Sequence, residues 1–223
     1  MSRDDFYDSF FGRAYSAYIE RPHLARLIAR VAWGGDTKPY YESMEAVAEV
    51  PAGGTVVDCP CGSGPVFRML PTGSDIDYVA VDLSPAMLAR ARGRAEKRGL
   101  REIRFVETDA TAIPLADGST DLFLSYWGLH CFPEPRATIE EAARVLRPGG
   151  RLVGCCFVRG DSLRQRLQLR PRTADFGPLC TEPELLEWLA QAGLRDVRSR
   201  RSGLFIFFDA LREDAGEPSD RRP

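Results

Sequence analysis

Val56-Val57-Asp58-Cys59-Pro60-Cys61-Gly62-Ser63-Gly64 is the stretch on which the reading of this chain turns. The β-branched run Thr55 to Val57 reads as a short buried strand that closes on the carboxylate of Asp58. Gly62 to Gly64 then read as a tight loop, with a helix expected from Pro65 to Leu70. Glycines tolerate positive φ and let a ligand approach the backbone closely. A helix N-terminus beyond them favours a negative group. The spacing departs from G-x-G-x-x-G, because Pro60 takes the first glycine place and Pro65 follows Gly64.

Working outward, the pattern alternates. Tyr78 to Val81 form a second strand ending at Asp82, and Ser84-Pro85 open a helix that Lys97-Arg98-Gly99 close. Ile103–Val106 and Asp121–Ser125 read as the third and fourth strands. Ile139, Ala142, Ala143 and Leu146 mark a helix face stopped by Pro148-Gly149-Gly150, and Arg151–Val158 follow as the fifth strand. A capping box at Thr181 and Glu184 starts another helix, and two strands around Ser202-Gly203 close as a hairpin. Upstream, residues 1–50 read as a helical cap. Leu24, Leu27, Ile28 and Val31 are expected inward with Arg26 and Arg30 opposite, and Tyr40, Tyr41, Met44, Val47 and Ala48 repeat the pattern.

Strands alternating with helices predict an α/β, doubly wound, mainly parallel seven-stranded sheet of Rossmann-like type, with a C-terminal antiparallel hairpin and N-terminal helices. Its length suits one domain over residues 1–211, with residues 159–180 as a lid-like insertion and residues 212–223 as a disordered tail. In such folds a ligand sits beyond the carboxyl ends of the strands, where the strand order reverses.

Three further signals stand at those ends. Asp82 lies twenty residues after Gly62, where a carboxylate accepts ribose hydroxyls and repels a 2′-phosphate. Glu107-Thr108-Asp109-Ala110 offers a carboxylate to an adenine amino group. Leu146-Arg147-Pro148-Gly149-Gly150 precedes the fifth strand, its glycines structural. Together, in this order, these motifs resemble the class I S-adenosylmethionine (SAM)-dependent methyltransferases, especially the small-molecule branch of ubiquinone and menaquinone methyltransferases. By motif the resemblance covers residues 54–158. It implies that Gly62 and Gly64 border the methionine part of SAM, with Cys61 in the same cofactor-binding set, and that Asp58 holds the loop and the amino acid. It implies Asp82 on the ribose, Leu83 and Met87 beside the adenine, Asp109 on its amino group, Ala110 at the ring edge and Ser125 near the sulfonium. Pro60 departs from the family's usual glycine.

Methyl transfer asks mainly for in-line positioning and exclusion of water. A base matters only where the acceptor must lose a proton. Ser125-Tyr126-Trp127-Gly128-Leu129-His130 leaves the fourth strand where the methyl group would point, so His130, with an ordinary pKa near neutrality, is the candidate base and Tyr126 the second catalytic candidate. No metal is expected, since no carboxylate ends that strand, and Cys59 and Cys61 stand too close for a zinc knuckle. Cys155 and Cys156 read as small buried hydrophobes.

The acceptor is expected to be a small molecule, anionic or aromatic. Arg159, Arg164, Arg166, Arg170 and Arg172 crowd the insertion, and Phe6, Tyr7, Phe10, Phe11, Tyr15 and Tyr18 crowd the start. A net charge of −2 argues against a general nucleic-acid binder. The absence of a long apolar run argues against a membrane span, and the acidic, aromatic start argues against a signal peptide, which points to the cytoplasm. Two other readings remain open: a nicotinamide-dependent oxidoreductase, which Asp82 alone would permit, and a SAM-binding regulatory or scaffold protein without catalysis. No motif specifies the acceptor, the methylated atom or the oligomeric state.

Overall fold

A computed structural model describes residues 21–160, 162–169, 177 and 179–213. The aromatic positions from Phe6 to Tyr18, and Arg170 and Arg172 of the insertion, lie outside these residues. Among the described residues, β1 (Thr55–Asp58), β2 (Asp77–Asp82), β3 (Ile103–Glu107), β4 (Thr120–Tyr126) and β5 (Leu146–Phe157) carry the parallel part of one sheet. β6 (Leu194–Ser202) and β7 (Phe205–Arg212) form the hairpin, with β7 antiparallel to β5. The order is β3-β2-β1-β4-β5-β7-β6, so the chain reverses direction across the sheet between β1 and β4. This is the expected Rossmann-like architecture.

Strand side chains alternate between faces, and that alternation divides the core. Val56, Tyr78, Ala80, Leu122 and Leu124 face one layer, which holds α1 (Pro22–Trp33), α2 (Lys38–Ser43) and α3 (Pro85–Lys97). Val57, Val79, Val81 and Phe123 face the other, covered by α4 (Pro135–Val145) and α6 (Glu182–Gln191). A short α5 (Leu163–Leu169) packs near α1.

Four local expectations are corrected. After Gly64 the chain forms only a 3-10 helix, Pro65–Met69, because Leu70 is extended (φ −82, ψ 120), as a residue before proline must be. α4 ends at Val145 and the β5 ladder starts with Thr120 paired to Leu146, so Pro148-Gly149-Gly150 lies within the strand. A Cβ on Gly150 would sit 2.8 Å from the Arg147 carbonyl oxygen and 2.9 Å from that of Thr120, which explains the glycine. α1 buries Ala25, Ala29 and Trp33 instead of its leucine stripe, because Arg26 reaches Asp36 (2.9 Å) and the small alanine face packs closest. The α2 pattern continues as a 3-10 helix, Met44–Glu49, whose period of three buries Met44 and Val47 and leaves Ala48 out. At the other end β7 continues to Arg212, and Glu213 N–H donates to the Gly193 carbonyl (2.9 Å), so pairing passes the residue-212 boundary. No helix among the described residues is long and apolar enough to cross a membrane.

Candidate active site

The carboxyl ends of β1, β2 and β4 converge where the strand order reverses. Asp58 ends β1 fully buried, and its Oδ2 accepts from the Tyr78 hydroxyl at 2.8 Å. Burial pushes its pKa up to about 7, with the Tyr78 hydrogen bond pulling down and the charge of Asp82 pushing up. The loop beyond stays tied to both neighbouring strands: Cys59 N–H donates to Leu124 O (2.9 Å) and Cys61 N–H to Val81 O (2.8 Å). Burial drives the pKa of both thiols well up, so they are neutral.

Gly62 and Gly64 adopt φ of 52° and 76°, where an L side chain is strained. A Cβ on Gly64 would strike the Phe67 ring at 2.4 Å, whereas one on Gly62 would meet no atom within 4 Å. Asp82 closes the turn from the next strand. Its Oδ2 accepts from Gly62 N–H (2.8 Å) and its Oδ1 from Ser84 N–H (2.9 Å). Burial raises its pKa against those backbone donors. Each oxygen retains a second lone pair for a ligand hydroxyl. Ser84 also caps α3 by accepting from Met87 N–H, which seats Met87 in the wall while Leu83 projects outward.

Asp109 is exposed on the loop after β3, and its Oδ1 accepts from the Thr111 N–H and hydroxyl at 2.8 and 2.7 Å. Ala110 beside it is buried. Ser125 lies at the end of β4, and its buried hydroxyl has no hydrogen-bond partner among the described residues. Asp58, Cys61, Gly62, Gly64, Asp82, Met87 and Ser125 thus lie at or just beyond the carboxyl ends of β1, β2 and β4, with Leu83, Asp109 and Ala110 following β2 and β3.

The family model for a methyltransferase domain matches residues 57–154. An uncharacterized chloroplastic methyltransferase of Arabidopsis thaliana is 30% identical over 197 residues, covering 81% of this chain and 54% of that protein. The demethylmenaquinone methyltransferase of Thermus thermophilus is 41% identical over 99 residues, 44% of each chain. The chain therefore spans about half the length of these curated relatives. The structure of a geranyl diphosphate methyltransferase in complex with SAM superposes with a TM-score of 0.65 at 17% identity, covering 81% of this chain and 86% of that one.

Residues 57–154 thus match a methyltransferase domain, and over them the chain is similar to the class I SAM-dependent methyltransferases.

The cofactor that methyltransferase domains of this kind use is SAM, and the strand ends suit it. The backbone is bare over Gly62, an unpartnered buried hydroxyl stands at Ser125, and two strand-end carboxylates are oriented by backbone N–H groups or a tyrosine. The two catalytic candidates are both buried. His130 is buried against Phe157, its Nδ1 accepting a long hydrogen bond from Phe157 N–H (3.4 Å), and burial lowers its pKa to about 3. It is neutral and weakly basic at pH 7, contrary to the expectation drawn from its ordinary pKa. Tyr126 is buried beside Tyr40, and desolvation drives its pKa far up, with Ser43 pulling slightly the other way. Neither is tuned to remove a proton.

What motif reasoning missed is a cluster of rings. Trp127 lies edge-on to Tyr40 (5.5 Å between centroids) and Phe205 (5.1 Å), and Phe157 lies edge-on to Phe205 (5.0 Å) and Trp33 (4.8 Å). Trp127 itself has φ 57, costly for a bulky residue, while its backbone N–H still donates to Cys155 O (2.8 Å). Gly128 follows because a Cβ there would sit 2.2 Å from Pro60 Cδ, locking the β4 loop onto the β1 loop. The glycine directly after Ser-Tyr-Trp was the available signal. The rings themselves come from five separate elements and share no motif.

Proposed function

We propose that the protein transfers the methyl group of SAM to an apolar, ring-bearing small molecule held at the carboxyl edge of the sheet. The observation that carries this reading is the ring cluster of Trp33, Tyr40, Trp127, Phe157 and Phe205 beside the end of β4. Aromatic walls favour apolar and aromatic ligands. The demethylmenaquinone methyltransferases among the relatives support the same class of acceptor. The anionic alternative is less well supported, because Arg159 pairs with Glu184 (3.5 Å).

In this reading Gly62 and Gly64 let the backbone approach the methionine part of SAM, with Cys61 lining the same turn. Asp82 accepts the ribose hydroxyls with its remaining lone pairs, and Asp109 accepts the adenine amino group. Leu83, Met87 and Ala110 enclose the adenine ring. Asp58 holds the loop and faces the amino-acid end, and Ser125 Oγ turns its lone pairs toward the sulfonium. SAM supplies an electrophilic methyl group and its own leaving group. An acceptor lone pair forms the new bond to carbon as the carbon–sulfur bond breaks, its electrons passing to sulfur. The chain's part is alignment and exclusion of water, with no proton taken by His130 or Tyr126.

The acceptor therefore arrives as a competent nucleophile. With all six cysteines free thiols, a reducing, cytoplasmic setting fits. The low net charge is consistent with a small-molecule partner and no nucleic acid. Calorimetry with SAM, S-adenosylhomocysteine and NAD, followed by labelled-methyl transfer to hydroquinones, phenols and polar amines, tests the reading. Methyl transfer confined to apolar ring compounds is expected. NAD binding without SAM binding, or SAM binding with no transfer to any acceptor, would overturn it.

A further inference from the structure

Seven large apolar side chains are exposed among the described residues, and six of them gather on two helices. Leu24 (39% exposed), Leu27 (61%), Ile28 (39%) and Val31 (76%) line α1, while Leu163 (74%) and Leu167 (53%) lie on α5. The four on α1 follow the i, i+3, i+4, i+7 spacing of one helical stripe, and α1 and α5 pack against each other. α1 thus turns its larger apolar face outward and buries only Ala25, Ala29 and Trp33. A contiguous apolar face of this kind marks an interaction surface.

Charge identifies the occupant. Residues 22–33 and 162–172 contain no aspartate or glutamate, although the chain as a whole is acidic at −2. In the sequence Arg21 precedes α1, Arg26 and Arg30 belong to it, and positions 164 and 166 of α5 are arginines, against one acidic residue, Asp161, just before α5. Asp36 offsets Arg26 and Arg30 (2.9 and 2.8 Å) and leaves the local balance positive. Leucines on one helical stripe with arginines around them match a bilayer interface: apolar chains enter the acyl boundary and basic groups meet anionic headgroups. The face also leads to the site. Trp33, the last residue of α1, lies edge-on to Phe157 of the ring cluster at 4.8 Å.

We propose that the α1–α5 face docks the protein on an anionic lipid surface. Docking there sets the ring cluster beside the phase in which an apolar acceptor dissolves. That last link rests on the proposed acceptor class; the docking itself does not.

The test is co-sedimentation of the full chain with vesicles of phosphatidylcholine alone and of phosphatidylcholine mixed with phosphatidylglycerol. Binding to the mixed vesicles about tenfold or more above the neutral ones, weakening as salt rises, is expected. The double variant Leu27→Asp/Val31→Asp should lower that binding at least tenfold with unchanged SAM affinity and circular dichroism, and Leu163→Asp should lower it independently. Wild-type levels of binding in both variants would overturn the proposal, and so would no vesicle binding by the wild type. So would a stable dimer that the same substitutions dissociate without any vesicle binding. SAM calorimetry on the same samples separates the two ideas: vesicle binding without SAM binding sinks the methyltransferase reading alone.

Discussion

Asp82 has two tasks in this structure, and they make its substitution informative. It already accepts from Gly62 N–H and Ser84 N–H, so it shapes the glycine turn before any ligand arrives. Asp82→Ala should weaken SAM binding by about 2 kcal/mol, roughly thirtyfold, by removing a charged acceptor of ribose hydroxyls. Asp82→Asn should fall between, because its carbonyl oxygen still accepts from one backbone donor. Isothermal titration of the three proteins checks the order. His130 makes the opposite case. With its pKa near 3 it is neutral across the working range, so wild-type turnover should show no inflection from a histidine between about pH 6 and 8. His130→Phe should change turnover by less than about tenfold. A hundredfold loss with SAM affinity intact would restore His130 as a base.

Elements here are held by close backbone contacts that leave no room for a side chain. The turn between β6 and β7 is one. Gly203 has φ 62, and a Cβ on it would sit 2.5 Å from Gly34 C and from Trp33 O, at the C-terminal end of α1. Leu204 N–H also donates to Trp33 O (3.3 Å). The hairpin and α1 thus meet backbone to backbone. Gly203→Ala should lower unfolding stability by about 2 kcal/mol through both strain and overpacking, measured by urea denaturation. Because the clash falls beside Trp33, hydrogen exchange in α1 should also speed up. A neutral substitution would mean that this contact does not seat α1.

For the whole molecule, Asp58 sets an unusual slope of stability against pH. Its folded pKa of about 7 stands above the ordinary value of 3.8 because burial penalises the charge. The folded state holds that proton more tightly than the unfolded state. The resulting stability is fully present below about pH 4 and is lost as pH rises through 7. The difference is worth on the order of 4 kcal/mol. Asp121, Glu141 and Glu184 have lowered pKa values and act in the opposite sense, losing their contribution as acid protonates them. Asp58→Asn should therefore remove the decline between about pH 4 and 7, seen as a flatter denaturation midpoint across that range. Retention of the wild-type slope in this variant would show that Asp58 is not its source.

Seven strands and their hairpin end were legible in the sequence, and so was the set of strand-end residues from which the candidate site is argued. Each rests on a local signal: β-branched runs, a carboxylate at a strand end, and glycine or proline where the backbone must turn. Residues 55–64, Asp82 and Asp109 are read one strand at a time, and the parallel sheet brings them together without further information. Tertiary structure decided the rest. Periodicity shows that α1 has an apolar stripe, but only the packing of Ala25, Ala29 and Trp33 shows that the stripe faces outward. Composition makes His130 a base, but only its burial against Phe157 withholds the proton. The ring cluster joins α1, α2, the end of β4, β5 and β7, and no local pattern encodes a contact between residues as far apart as Tyr40 and Trp127. Turns and strand ends depend on φ, ψ and a few neighbours, whereas face, burial and pKa depend on what the remainder of the chain places opposite.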